Sequence, residues 1–472
     1  MTIHQGNDDS RGGPESFSES EPQASGHTSR NSNNNPNSSS MGDLLEETPE
    51  VRIERLGRQR PEVFKSLWAE IGFVFSISMS QVLTEYFVSG FTVILPTLIK
   101  SLEIPSASAT WPASAFSLTL ACFLLVFGRL SDMYGGYPAY VAGFVWLALW
   151  SLKRKVREAR RGTDDQVKMD WLGALFIVVG LILFTFAIID SAHAPNGWKT
   201  PYIYILFVIG CLLLLVAAYI ETQSKQALIP ASFFQVPSMI PLVFALFLCY
   251  GSLGIFLLYA TFYMTGVMGG TPLQLVAWYA PMALGGCIIS TVGGFVLHLL
   301  PGTALVVAAG VAWIVAPLLF AIAPAGANYW AYIFPAMICA TIGIDITFTV
   351  ANIFFTTSLS ESQQGLAGSM VMLILHLGIA VCLGFSDIIN TYTLDRLGLR
   401  KSYHAVFWFE VACAGGSLII MALFVKIKRA ESELTVDERM AALNDIQMVE
   451  ENGSTARTRD LGMDAADDGK LK

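Results

Sequence analysis

The chain has 472 residues and a formal net charge of −8, with 53% hydrophobic and only 14% charged residues. An average soluble domain carries about 25% charged residues; here most of the charge lies in the two tails and in segment 153–170, and apolar runs of about twenty residues, the length of a membrane-crossing helix, lie between. This excludes a soluble globular protein, and the continuous rather than alternating hydrophobicity excludes a membrane barrel, leaving an all-α polytopic membrane protein.

Residues 1–67 are rich in Ser, Asn, Gly and Pro and cannot bury enough apolar surface to fold alone, so they read as a disordered tail. No apolar stretch lies near the start, so no cleavable signal is expected and membrane entry falls to internal helices. Arg52, Arg55, Arg58, Arg60 and Lys65 place this tail in the cytoplasm. The first span covers 68–99 and contains Glu85, Gly90 and Pro96; the second covers 109–127. A short polar hairpin, 128–136, leads into an apolar run, 137–152, and then a basic loop, 153–170. Eight further spans follow at 171–189, 202–220, 239–264, 275–297, 304–323, 329–351, 367–388 and 404–425, with a loop at 221–238. The tail, 426–472, is acidic, and Thr435 to Glu438 reads as a capping box opening a short surface helix. All seven cysteines fall inside apolar runs without a CxxC pair, which suggests small buried residues rather than a disulfide frame or zinc site.

The count of about eleven spans conflicts with its own topology. Lys426, Lys428 and Arg429 put the carboxyl terminus in the cytoplasm as well, and two cytoplasmic ends require an even number of crossings. The odd element is 137–152, with cytoplasmic-type charge at both ends; as a helix it reaches only about 24 Å, short of the bilayer core.

The segment Gly128-Arg129-Leu130-Ser131-Asp132-Met133-Tyr134-Gly135-Gly136 resembles the G-x-x-x-D-x-x-G loop of the major facilitator superfamily. In that family the loop joins helices two and three on the cytoplasmic face, and its acid latches the two halves through a helix end. The chain departs from the pattern at Met133 and at Gly136-Tyr137, where basic residues are usual. Val82 to Thr92, Lys168 to Gly173, Asp190 to Trp198, Gly343 to Phe348 and Gln364 to Gly368 are similar to fungal drug:proton antiporters of the fourteen-helix branch. The nearest resemblance is to the aminotriazole-resistance and boron-efflux-like group, which includes low-affinity ammonium transporters.

The resemblance implies two six-helix halves flanking two inserted helices. On that frame 171–220 is the inserted pair, 239–425 a complete carboxyl-terminal bundle, and 68–152 an incomplete amino-terminal bundle. The end of helix three and all of helices four to six are then missing at Leu152/Lys153, in agreement with the parity conflict. The Gly-Pro-rich antiporter signature of helix five and the Arg-containing motif of helix four are found nowhere in the chain.

Ionisable groups within apolar spans are functional candidates because burial in hydrocarbon is costly. Glu85, on a helix that lines the cavity in this superfamily, is the first proton-carrier or substrate-contact candidate, against a bland reading as a carboxyl bonded to a neighbouring Thr or Tyr. Asp345 is next, also cavity-lining by resemblance, with Asn352 two turns away on the same face. Glu410 lies in the last helix, usually peripheral, and His376 on an apolar helix where a packing histidine is the commoner case. Asp387 and His298 sit near span ends and are expected to face headgroups. Trp278, Tyr279 and Tyr250 are candidates to line an amphipathic cavity or to anchor at the interface. Gly285-Gly286 and Gly293-Gly294 are expected to permit close helix packing. Gly128, Arg129, Asp132 and Gly135 form the conformational-switch loop.

The function expected is secondary transport, a proton-coupled efflux of a small solute, drug or toxin by rocking of two bundles about a midplane site. The expected partners are the lipid bilayer and a small-molecule substrate, with no nucleic acid, no metal and no cofactor beyond the proton as coupling ion. The location expected is the plasma membrane, multi-pass, with both tails cytoplasmic. The rivals are a low-affinity ammonium or boron transporter and a truncated membrane protein that does not transport, because a cavity without helices four and five loses much of one wall. Without a metal-ligand or nucleophile constellation, an enzyme is not expected.

Overall fold

The computed structural model describes residues 66–101, 111–134, 170–224, 227–296, 300–360, 363–427 and 440. The two tails, the run 135–169 with Gly135 and the Leu152/Lys153 join, His298 and the capping box at Thr435 lie outside the described residues. Among the described residues regular structure is helical. The long helices are α1 (Leu67–Ser101), α2 (Trp111–Tyr134), α3 (Trp171–Asp190), α4 (Pro201–Gln223), α5 (Met239–Gly266), α6 (Pro272–Val296), α7 (Gly302–Ala321), α8 (Phe334–Ser358), α9 (Gln364–Leu397) and α10 (Leu399–Phe424). Among the described residues, the nine from α2 to α10 are long and apolar enough to cross a membrane.

Local chemistry sets the helix ends. Asp170 caps α3, its Oδ1 accepting from the Gly173 amide at 2.8 Å. Pro201 opens α4 and Pro272 opens α6, where a missing N–H costs nothing. At α6, Thr271 and Gln274 form a reciprocal box: the Thr271 amide donates to Gln274 Oε1 at 3.0 Å, and the Gln274 amide donates to Thr271 Oγ1 at 3.3 Å. One residue, Gly398, separates α9 from α10, and its φ of +76° explains why glycine stands there. A π turn, Tyr329–Ile333, leads into α8, with Asn328 accepting from the Trp330 amide.

The helices pack around α9, the most deeply buried of them. It is flanked by α2, α5, α10, α3 and α8. Two glycine contacts bring backbones together there. At the α5 crossing, a methyl on Gly378 would stand 2.5 Å from the Phe247 carbonyl oxygen, and at the α2 crossing a methyl on Gly365 would stand 2.7 Å from the Gly128 oxygen. Close approach of this kind replaces a hydrophobic drive that lipid does not supply. A second layer, α7 with α8 and α10, packs around Trp313, which is fully buried and donates from Nε1 to Thr347 Oγ1 at 3.3 Å. The helices α3 and α4 form a hairpin, locked where Gly210 meets the Phe184 backbone, and α3 leans on α9 and α2.

One expected element is corrected. The polar segment from Gly128 to Tyr134 is not a hairpin but the last turns of α2. No proline interrupts the chain between Gly128 and Gly135, and helical spacing puts Gly128 and Asp132 on one face, toward α9.

Candidate functional site

The contact between α2 and α9 is built from two glycines and one carboxylate. Gly128 on α2 and Gly365 on α9 leave no room for a Cβ: one on Gly128 would meet the Ser369 side chain and lie 2.9 Å from the Gly365 oxygen. With the backbones that close, Asp132 reaches the first turn of α9. Its Oδ1 accepts from the Gly365 amide at 2.7 Å and its Oδ2 from the Leu366 amide at 3.0 Å. A helix begins with amides that have no partner in the helix, and its dipole favours negative charge there. The carboxylate therefore satisfies two donors and the dipole together. Arg129, one turn earlier, is half-buried, and its Nε has no hydrogen-bond partner among the described residues.

The other sequence candidates are spread over several helices. Asp345 sits mid-way along α8, half-buried, with Oδ2 unpartnered among the described residues. It faces α6, where a methyl on Gly286 would lie 3.2 Å from that oxygen, and Gly285 similarly faces Thr341. Asn352 lies two turns on, about 10 Å along the axis, and its Nδ2 donates to the Phe348 carbonyl at 2.9 Å, so it does not join Asp345. Glu410 is fully buried on α10; its Oε1 accepts from Ser252 Oγ on α5 at 3.1 Å, and its Oε2 has no partner among the described residues. His376 is buried on α9, with Nδ1 2.9 Å from the Met372 carbonyl oxygen of its own helix.

Tyr279 ties α6 to α5 through Thr261 at 2.8 Å and the Leu257 carbonyl at 3.1 Å. Trp278 stacks on Tyr329 at 5.7 Å between centroids, and the Tyr329 hydroxyl donates to the Trp278 carbonyl. Tyr250 is fully buried and its hydroxyl is unpartnered among the described residues. The backbone of Glu85 falls within α1; its side chain lies outside the described residues.

Two expectations fail here. Asp387 does not face headgroups: it is buried, and His193 from the α3–α4 turn meets its Oδ2 at 2.7 Å. Cys287 is exposed, not a small buried residue, because α6 turns that face away from α8. The His193–Asp387 pair was not foreseen. The only sequence signal was a histidine beside Asp190 in a turn rich in Pro, Asn and Gly, too distant along the chain from Asp387 to register as a pattern.

No family model matches the chain. Among curated proteins it is similar to the efflux pump terJ of Aspergillus terreus, at 24% identity over 79% of this chain and 90% of the relative. It is also similar to the low affinity ammonium transporter of Saccharomyces cerevisiae, at 26% identity over 78% and 92%, and to an MFS-type transporter of Schizosaccharomyces pombe, at 23% over 79% and 91%. The curated relatives that it matches are MFS-type transporters and efflux pumps. The α2–α9 contact ties α2, which precedes the α3–α4 hairpin, to α9 among the helices that follow it. Asp345 Oδ2 on α8 and Glu410 Oε2 on α10, each without a hydrogen-bond partner among the described residues, both lie in the helices that follow the α3–α4 hairpin.

Proposed function

We propose that the transporter exports a small solute in exchange for protons, with Asp345 as the proton-carrying or substrate-contacting acid. The observation that carries this reading is the Asp345 carboxyl: mid-span, half-buried, one oxygen without a partner among the described residues, and facing a glycine that leaves space beside it. An ionisable group at that depth is costly unless it serves a ligand or proton. Asp132, at the start of α9, acts as the latch on the cytoplasmic face and must release when the bundles rock. The efflux pump among the relatives supports the outward direction.

A second reading, low-affinity ammonium movement, is favoured by the yeast relative of that name. We further propose that the relatives hold helices this chain lacks, at Leu152/Lys153. Supporting this, the match to the efflux pump runs over 476 positions, while 79% of a 472-residue chain falls about a hundred residues short of that length. The test is the full chain in vesicles under an imposed pH gradient, with internal pH read by a trapped dye while a fluorescent cationic drug or methylammonium is added. Export coupled to protons gives alkalinisation or acidification with the drug that Asp345→Asn abolishes. A response to methylammonium alone favours the second reading. Silence with both, reversed by inserting the relatives' extra segment, marks the chain as a transporter made inactive by its loss; silence after insertion overturns the proposal.

A further inference from the structure

The helix α9 is held at both ends by carboxylates of different origin. At its start, Asp132 of α2 caps the Gly365 and Leu366 amides. Toward its far end, its own Asp387 meets His193 Nε2 at 2.7 Å, and both side chains are largely withdrawn from solvent at 12% and 4% exposure. From Gly365 to Asp387 the helix rises about 33 Å, close to the thickness of the hydrocarbon core, so the two contacts sit at opposite faces of the bilayer.

From this geometry we infer that His193 and Asp387 form a proton-binding site that clasps the turn of the α3–α4 hairpin onto α9, at the face opposite Asp132. The surroundings are assembled for it. Asp190, at the end of α3, accepts from the Tyr202 hydroxyl of α4 at 2.7 Å, which fixes the two ends of the turn. Gly197, with φ of +55°, lets the turn approach Tyr392 of α9, whose hydroxyl would stand 2.9 Å from a Cβ there. Below, the α3 residues Ile188 and Ile189 rest on Gly384 of α9. Among the described residues, the titratable groups that face the pair are Asp190 from α3 and Tyr259 from α5; Tyr202 of α4 sits on Asp190, Tyr392 of α9 stands against Gly197 of the turn, and Tyr403 of α10 lies behind Tyr259 at 5.9 Å between ring centroids.

The hydrogen bond to Asp387 is the largest influence holding the His193 imidazolium above its ordinary range; burial opposes it, and the charges of Asp387 and Asp190 add to the rise. A histidine whose folded value is raised gives stabilisation that is complete below its unfolded value and is lost as the pH climbs through the folded one. When the proton leaves, the neutral ring still donates through Nε2–H, but the pair loses its charge and weakens. The proton comes from, and returns to, the water on that face. Acid on that side closes the clasp, and alkali loosens it.

The test places spin labels at Asn196→Cys in the turn and Leu397→Cys at the end of α9, in the full chain with its own cysteines replaced, and measures their separation at about pH 5 and about pH 9. One narrow distance is expected at the acid pH and a broad or longer distribution at the alkaline one. His193→Gln, which keeps a hydrogen bond without a titratable charge, is expected to give the same distribution at both. The exchanged pair His193→Asp with Asp387→His is expected to restore the pH response. A wild-type distribution that does not change with pH, or a response that survives in His193→Gln, overturns the assignment.

Discussion

Replacing Gly365 with alanine tests the α2–α9 contact by the smallest possible insertion. The new methyl would lie 2.7 Å from the Gly128 oxygen and 2.9 Å from the Asp132 carboxyl carbon, where ordinary contact begins near 3.4 Å. The helices must part by at least about half an ångström, an overpacking that costs about 1–3 kcal/mol. Parting them also lengthens two charge-assisted hydrogen bonds, each contributing about 1.5–3 kcal/mol when intact. This amounts to about 2 kcal/mol against the closed contact, or roughly a thirtyfold shift toward separation. Ser369, which packs on Gly128 and is only 6% exposed, supplies the reporter as Ser369→Cys in a background without other cysteines. Its maleimide labelling is expected to rise by more than tenfold in Gly365→Ala. An unchanged rate, in a protein of unchanged helicity, would refute the steric argument.

Asp132→Asn should act in the same direction but more weakly, by about 1–2 kcal/mol, since an amide oxygen still accepts one bond but brings no charge to the helix start; the same labelling assay reads it. Gly378→Val drives a branched side chain into the Phe247 carbonyl, and the yield of folded protein after detergent extraction should collapse. Trp313→Ala empties a fully buried indole site and should cost about 3–5 kcal/mol, seen as a lower midpoint in denaturing-detergent titration. Glu410→Gln should leave that midpoint close to the parent's, because Ser252 Oγ can still donate to an amide oxygen, whereas Glu410→Lys should abolish folding by burying an unpaired cation.

Much of the helical order was legible as apolar runs, because lipid-facing and protein-facing sides are both apolar and a helix is the only way to satisfy its backbone there. Helix ends were not, since helices continue into polar sequence wherever a partner waits. The apolar run of the second span ends at Phe127, but α2 continues to Tyr134 and delivers Asp132. The apolar run of the penultimate span ends at Ile388, but α9 runs to Leu397, and there Asn390 Oδ1 and Thr393 Oγ1 each meet Ser402 Oγ of α10 at 2.7 Å. Of the candidate acids, Asp345 and Glu410 were visible as charges within apolar runs. His193 and Asp387 were not visible as a pair, because their meeting depends on how the α3–α4 turn folds over α9, and no periodicity encodes a contact between distant segments.

The most direct test of the account is whether α2 and α9 part during transport. Spin labels at the exposed positions Phe127→Cys and Gly368→Cys, in full-length protein reconstituted in bilayers, report their separation with and without a pH gradient and transported solute. Two separations whose weights shift with the gradient are predicted, and only the longer one when Asp132→Ala is introduced. A single, gradient-independent distance in the wild-type chain would contradict the claim that this contact opens and closes.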